Sequence, residues 1–366
     1  MRLCDLTLRD FRNYREIYLE FDPGVNLIVG DNAQGKTNLL EAIGYLGSGK
    51  SFRAQKTGEM VRFSQDFGEI CGTVYSQERL QNLRWLLFSG SRPRQIFRNG
   101  AKKKSAGELS GVLSTVLFCP EDLMVLKAGA APRRRLADLA LCQLRPNYDA
   151  ALTEYNRLLE QKSRILKDHF ENPAVLEVLP EYNARLCQVG ALLISYRARF
   201  FEGLGKAAAE YHGQFSGGAE DFCLEYKTVS TVTDPFAPVS QLNEELLSHL
   251  ESHYRAELET AQCLTGPHKD DFSVALSGID LKAYGSQGQT RTAAISLKLA
   301  QRELMRRESG EEPVLLLDDV LSELDPGRQD FVLNKIVSGQ VFITCCEPGR
   351  FTKLGKTIEI EKGNVI

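Results

Sequence analysis

Val25-Asn-Leu-Ile-Val-Gly30-Asp31-Asn32-Ala33-Gln34-Gly35-Lys36-Thr37-Asn38 decides how the rest of the chain is read. Val25 to Val29 is a short apolar run that predicts a buried strand. Gly30 to Thr37 then spells G-x-x-x-x-G-K-T, and Leu39, Leu40, Ala42, Ile43 and Leu46 recur at helical spacing before Gly47, which reads as a stop. Strand, glycine loop and helix in that order is the setting of a phosphate-binding loop. Gly30 and Gly35 allow turns that a side chain would obstruct. The loop N–H groups and the helix start converge on a single anion. Lys36 would reach the β- and γ-phosphates and the Thr37 hydroxyl would sit on Mg²⁺. A plain glycine turn also joins strands to helices, but it requires neither the lysine nor the threonine. By itself the loop says that a nucleoside triphosphate binds, and no more.

Composition bounds the remainder. A chain of 366 residues has room for two or more domains, and 43% hydrophobic against 25% charged residues places it among globular rather than disordered proteins. The formal net charge of −3 excludes a uniformly basic nucleic-acid binder, so any such contact rests on local patches. No apolar run approaches the roughly 18 residues that span a bilayer, and Met1-Arg-Leu-Cys-Asp-Leu lacks a signal-peptide core, so a cytoplasmic protein is expected, with no membrane partner. The nine cysteines form no C-x-x-C pair and read as reduced thiols; Cys345-Cys346 lie in an apolar run and read as core.

The texture changes twice along the chain. From Met1 to about Phe118 it is strand-rich: Leu3 to Leu8 and Ile17 to Phe21 lead to an Asp22-Pro-Gly24 turn, Ile70–Tyr75, Leu83–Phe88, Gln95–Phe97 and Val112–Phe118 follow, and Asn99-Gly100 signals a hairpin. From Glu121 to about Gln214 the apolar residues step by three or four, with Pro146, Pro173 and Pro180 as punctuation. Ser216-Gly-Gly218 is a break, followed by a strand over Phe222–Tyr226 and a helix from about Gln241 to Gln262. The apolar stripes are not sustained heptads, which favours a compact helical arm over a coiled coil. Strand–helix alternation then returns: Phe272–Leu276, Thr292–Glu308, Val314–Leu317, Arg328–Ile336 and Val341–Thr344.

Pro313-Val-Leu-Leu-Leu317-Asp318-Asp319 is an apolar strand ending in two acids. Beside the glycine loop in a parallel sheet, Asp318 would hold Mg²⁺ and Asp319 would orient or deprotonate an attacking water. Ser322-Glu-Leu-Asp325 follows at once. Upstream, Tyr284-Gly-Ser286-Gln287-Gly288-Gln289 precedes a helix that Ser286 would cap. An ordinary helix cap explains Ser286 alone; the ordered set of glycine loop, S-x-G-Q, apolar-D-D and S-x-L-D adds more.

That set resembles the ATP-binding-cassette superfamily. The match narrows with Leu8-Arg-Asp-Phe11-Arg12-Asn13-Tyr14, Lys50-Ser-Phe-Arg53, Pro120-Glu-Asp-Leu123, Gly266-Pro-His268-Lys-Asp270-Asp271, Tyr284–Arg291 and Leu315–Asp325, which together resemble the RecF family of bacterial recombination mediators. The resemblance implies an α/β fold: a cassette-type ATPase head made of both chain ends, 1–118 and 258–366, with a mainly helical arm inserted at 119–257. It implies ATP with Mg²⁺ as cofactors, an ATP-dependent homodimer in which Ser286, Gln287, Gly288 and Gln289 of one copy cover the γ-phosphate held by the other, and a D-loop at Ser322 and Asp325. It also implies weak DNA-stimulated hydrolysis, duplex and gapped DNA as ligand, and RecR as partner with RecO and RecA in the pathway. Arg12 and Asn13 would border the base or ribose. Asp319 stands where most cassette ATPases carry Glu, as in RecF, and Thr344 stands where transporters place a switch histidine. Gly129–Asp138 departs from the family pattern G-x-P-x-x-R-R: it lacks the aromatic and shifts Pro and Asp by one place.

Local charge permits the DNA contact at Lys50, Arg53 and Lys56, at Lys102-Lys103-Lys104, and at Arg133-Arg134-Arg135, although each cluster also reads as a solvated face. No aromatic platform is visible, which favours duplex backbone contact over single-strand stacking. His268 before two acids reads as a turn histidine or as a metal ligand with Asp270 and Asp271. A switch or scaffold that binds ATP with negligible hydrolysis, a transporter ATPase and a metabolic kinase are the other readings. The helical insert and the missing switch histidine count against the transporter, and S-x-G-Q against the kinase.

Overall fold

Leu315–Leu317 and Val341–Ile343 are unbroken apolar runs, the pattern of strands covered on both faces. In the computed structural model, which describes residues 1–336, 338–346, 349 and 353–366, both runs are central strands with every residue buried. In chain order the elements are β1 (Arg2–Phe11), β2 (Tyr14–Glu20), β3 (Val25–Val29), α1 (Lys36–Ser48), β4 (Phe67–Ser76), β5 (Arg79–Phe88), β6 (Gln95–Arg98), β7 (Ala101–Lys103) and β8 (Thr115–Phe118). There follow α2 (Ala130–Leu144), α3 (Pro146–Asp168), α4 (Leu179–Ser216), β9 (Phe222–Lys227), α5 (Val239–Thr260), β10 (Asp271–Leu276), β11 (Ile279–Asp280), α6 (Leu281–Tyr284) and α7 (Gln287–Ser309). The chain ends with β12 (Val314–Asp318), α8 (Pro326–Lys335), β13 (Val341–Cys345), β14 (Gly355–Glu361) and β15 (Asn364–Val365). Among the described residues no helix is long and apolar enough to cross a membrane.

The chain divides into two compact units, Met1–Met124 with Arg291–Ile366, and Val125–Thr290. The first holds two sheets. One is antiparallel, in the order β2-β1-β4-β5-β6-β7; the other runs β15-β14-β3-β13-β12-β8 and is parallel from β14 to β8. Helix α1 is buried between them: Leu39, Leu40, Ala42, Ile43, Tyr45 and Leu46 share one apolar cluster with Leu3, Leu6 and Leu8 of the first sheet and Ile28, Leu316 and Phe342 of the second. That burial explains why the helix is apolar nearly all round. It ends two residues later than the sequence suggests, at the left-handed cap Gly49 (φ 63°). Gly47 lies inside it because a Cβ there would come within 2.3 Å of the Leu113 carbonyl oxygen. Asn99 and Gly100 both take positive φ (51° and 77°) in the β6–β7 turn, as the hairpin signal requires.

The second unit packs α2, α3, α4 and α5 with the three-stranded antiparallel sheet β11-β10-β9. The unit ends at Thr290, whereas the resemblance places the return to the head at residue 258. Strand β10 pairs along its whole length with β9, from Asp271 with Lys227 to Leu276 with Phe222, and this tertiary pairing holds residues up to Thr290 in the arm unit. The C-terminal strands β14 and β15 also lie outside the strands expected from the sequence.

Candidate functional site

The glycine loop is held from three sides. Gly30 (φ 156°) leaves β3 where a Cβ would sit 2.3 Å from the Ile360 carbonyl oxygen. Gly35 (φ 126°) caps α1 where a Cβ would sit 2.7 Å from Asn13 and 2.9 Å from the Tyr14 hydroxyl. Asn13 Nδ2 donates to the Gln34 carbonyl at 2.8 Å, the Tyr14 hydroxyl donates to the Gly35 carbonyl at 2.9 Å, and Asn38 donates back to Asn13 Oδ1 at 2.8 Å. From the C-terminus, Lys362 N and Gly363 N donate to Gln34 Oε1 and O at 2.6 and 3.0 Å. The loop is thus preset while Asp31, Asn32 and Ala33 remain exposed.

No side chain caps the first turn of α1, and no acid lies in it, an arrangement that can accept an anion. Lys36, 7% exposed, folds back and donates to the Gly30 and Asp31 carbonyls at 2.6 and 2.9 Å, with Cys346 Sγ at 3.5 Å. Its ammonium therefore already lies inside the cradle.

At the end of β12, Asp318 Oδ1 accepts from the Thr37 hydroxyl at 3.0 Å and from the Thr344 hydroxyl at 2.9 Å. Burial raises the Asp318 carboxyl above its ordinary range, against the pull of those two hydroxyls. Asp319 takes a left-handed backbone (φ 51°), its N–H donating to Thr344 Oγ1 at 2.8 Å and its carbonyl accepting from Ser322 Oγ at 2.6 Å. Asp325 caps α8 through Arg328 N at 3.1 Å. A hydroxyl and a carboxylate 3.0 Å apart are hard oxygen donors that fit Mg²⁺, an ion usually held by one or two carboxylates together with phosphate oxygens. Among the described residues there is no cluster of three or more His, Cys, Asp or Glu that competes as a metal site.

The Ser286–Gln289 segment belongs to the other unit. Gln289 N donates to Ser286 Oγ at 3.2 Å and Ser286 N to Gln289 Oε1 at 3.0 Å, a reciprocal capping box. Ser286 and Gln287 are exposed.

Other sequence candidates take different places. Arg12 Nε and Nη2 pair with the fully buried Glu41 at 2.8 Å each and Nη1 donates to the Glu59 carbonyl at 2.7 Å, so its guanidinium holds Glu41 rather than an open edge of the loop. Arg133 corrects the DNA list: it is 2% exposed and binds both Asp271 oxygens, at 2.5 and 2.6 Å. Arg134 donates to the Asp270 carbonyl at 2.7 Å. Lys103 is half-buried, 3.7 Å from Glu108, and Lys50 is half-buried as well; Arg53, Lys56, Lys102, Lys104 and Arg135 are exposed. His268 accepts from the Tyr155 hydroxyl at Nδ1 (2.7 Å) and donates to the Cys263 carbonyl from Nε2 (2.9 Å), which uses both nitrogens inside the arm. Asp270 and Asp271 turn to Arg197 and Arg133 instead.

The family model described as "RecF/RecN/SMC N terminal domain" matches residues 2–365. The chain is 37% identical over 377 residues to the DNA replication and repair protein RecF of Agathobacter rectalis, covering 100% of this chain and 99% of that one. It is 37% identical over 370 residues to the RecF of Clostridioides difficile, covering 100% and 98%. Solved structures of the recombination mediator protein RecF in the RecFOR pathway, as RecF-ATPrS and RecF-ATP, match with TM-scores of 0.91 and 0.90 at 34% identity, over 100% of this chain and 97% and 96% of theirs. The Smc head domain of Pyrococcus furiosus, at 16% identity and a TM-score of 0.55, shares the fold. The chain belongs to the RecF family of DNA replication and repair proteins, with the cassette-type α/β ATPase fold of that family.

Proposed function

We propose that this chain binds ATP with Mg²⁺, dimerises on duplex DNA beside single-strand gaps, and is released by slow, DNA-stimulated hydrolysis. Loop N–H groups and Lys36 hold the β- and γ-phosphates, and Lys36 trades the Gly30 and Asp31 carbonyls for phosphate oxygens. Thr37 and Asp318 would hold Mg²⁺, which neutralises phosphate charge when bound. Asp319, fixed through its N–H by Thr344, orients the attacking water. Ser286 to Gln289 cover the γ-phosphate of a second copy, and Ser322 and Asp325 flank that junction. Lys102, Lys104, Arg53, Lys56 and Arg135 are the proposed duplex contacts. The setting is repair of gaps and stalled forks on cytoplasmic, nucleoid DNA, where the dimer marks the junction for RecR and, with RecO, for RecA loading.

The observation that carries this reading is the 3.0 Å contact of Thr37 with Asp318 beside an uncapped, preset phosphate loop, in a chain whose Ser286–Gln287 cap is exposed. The test measures ATP-dependent self-association and duplex retention for wild type, Lys36→Arg and Ser286→Arg. Wild type is expected to respond to ATP and both variants to fail. Equal behaviour of all three would overturn the reading.

A further inference from the structure

The end of the long helix α4 bears directly on the Ser286–Gln289 cap. Helix α4 stops at Gly217 (φ 63°), and Gly218 (φ 78°) reverses the chain, so that Glu220 returns beside the last turn of the helix just before β9. There His212, 0% exposed, places Nε2 2.9 Å from Glu220 Oε2. The other Glu220 oxygen, Oε1, accepts from Gln289 Nε2 at 2.8 Å.

An ionised carboxylate accepts and never donates, so His212 carries its proton on Nε2. Its Nδ1 is buried without a hydrogen-bond partner among the described residues, so the bond from Nε2 to Glu220 is what orients this ring. By the same rule Gln289 must turn its NH₂ to Glu220. Its Oε1 is then left facing Ser286 N, at 3.0 Å, and this contact closes the capping box. Without the carboxylate, the amide is free to flip and set NH₂ against the Ser286 N–H, donor to donor, which opens the cap. Hydrogen bonding from Gln289, and after it from His212, holds the Glu220 carboxyl below its ordinary range, in keeping with an ionised acceptor.

We infer that Glu220, seated by His212, is a positioning residue for the signature segment: it fixes the Gln289 amide and, through it, the backbone of Ser286. This rests on the reading that Ser286 acts on nucleotide held by a second copy. Because that action is in trans, a positioning role has a signature that a folding role lacks. Glu220→Ala keeps its own phosphate loop and loses only what it offers to its twin.

The experiment measures ATP binding, ATP-dependent self-association and turnover for Glu220→Ala alone and mixed in equal amounts with Lys36→Ala. Alone, Glu220→Ala should bind ATP like wild type and lose about tenfold or more in self-association and turnover, the scale of a hydrogen bond to a charged group. Mixed with the inactive Lys36→Ala chain, which brings an intact Ser286–Gln289 segment, it should regain turnover at one of the two shared sites. Glu220→Gln still accepts from Gln289 and should keep most of the activity. Gln289→Glu, which sets a second carboxylate against Glu220, should reproduce both the defect and the rescue. Wild-type self-association by Glu220→Ala overturns the inference, as does a defect that the Lys36→Ala chain leaves uncorrected. A wild type that stays monomeric with ATP overturns the trans reading itself, before any variant is compared.

Discussion

Replacing Thr344 by Val is the sharpest way to disturb the acidic strand end without opening a cavity. Thr344 is 1% exposed, and its hydroxyl donates to Asp318 Oδ1 at 2.9 Å while accepting from Asp319 N at 2.8 Å. Val keeps the shape and removes both bonds. A bond to a carboxylate is worth about 1.5–3 kcal/mol, and a buried N–H left unpaired costs about 1–3 kcal/mol. Asp318 retains Thr37, and Asp319 is only half-buried, so the net loss should be about 2–4 kcal/mol in urea unfolding of the head. Function should separate from stability. None of the hydrogen bonds that preset the phosphate loop involves Thr344, so ATP affinity should stay near wild type. Asp318, already raised by burial, loses one of the two hydroxyls that favour its charged form, and Mg²⁺ should bind more weakly. One charge-assisted bond lost in the reacting state corresponds to about 10- to 100-fold in turnover. Thr344→Ser keeps both bonds and should restore it. A Thr344→Val protein with wild-type stability and wild-type magnesium dependence would refute this account of the strand end.

Two further predictions concern the arm. Burial lowers the His268 pKa from 6.5 to about 4, so its contribution to stability is complete above pH 6.5 and is lost as pH falls towards 4, up to about 3 kcal/mol. In His268→Gln, which can satisfy both Tyr155 and the Cys263 carbonyl, urea midpoints should lose that part of their acid dependence; identical slopes in the two proteins would count against a neutral ring. Arg133→Met should destabilise the arm by about 2–4 kcal/mol, less than a fully buried pair because the Asp271 side chain is 31% exposed, as read from hydrogen exchange in α2 and β10. Duplex affinity and its salt slope should not change in Arg133→Met, whereas Lys102→Ala should flatten the slope if that exposed lysine meets phosphate.

What the sequence disclosed was whatever is local. The glycine loop, the Leu315–Asp319 strand and the Ser286 cap are short patterns whose chemistry depends on neighbours within a few residues, and their geometry matches the reading. Charged side chains were less legible, because a partner distant in sequence decides their role. Arg133 looks like one of three equivalent arginines until β10 brings Asp271 to it, and Arg12 looks free until Glu41 emerges on the buried side of α1. The arm boundary at Thr290 has the same cause, since the β9–β10 pairing spans helix α5. The C-terminal strand did leave a signal: Thr357-Ile-Glu-Ile-Glu361 alternates before a Lys362-Gly363 turn, the form of a half-buried strand and hairpin. Its contact with Gln34 left none. Glu220 and His212 carry no motif, and only the folded arm joins them to Gln289.

Whether two copies close on ATP is read from the mass of the nucleotide-loaded protein in solution, by sedimentation or light scattering at micromolar concentration with ATP and Mg²⁺. A 40.9 kDa species without nucleotide is expected to double in mass when ATP is added, and not to double in Ser286→Arg. A wild-type protein saturated with ATP and still at the monomer mass would contradict it.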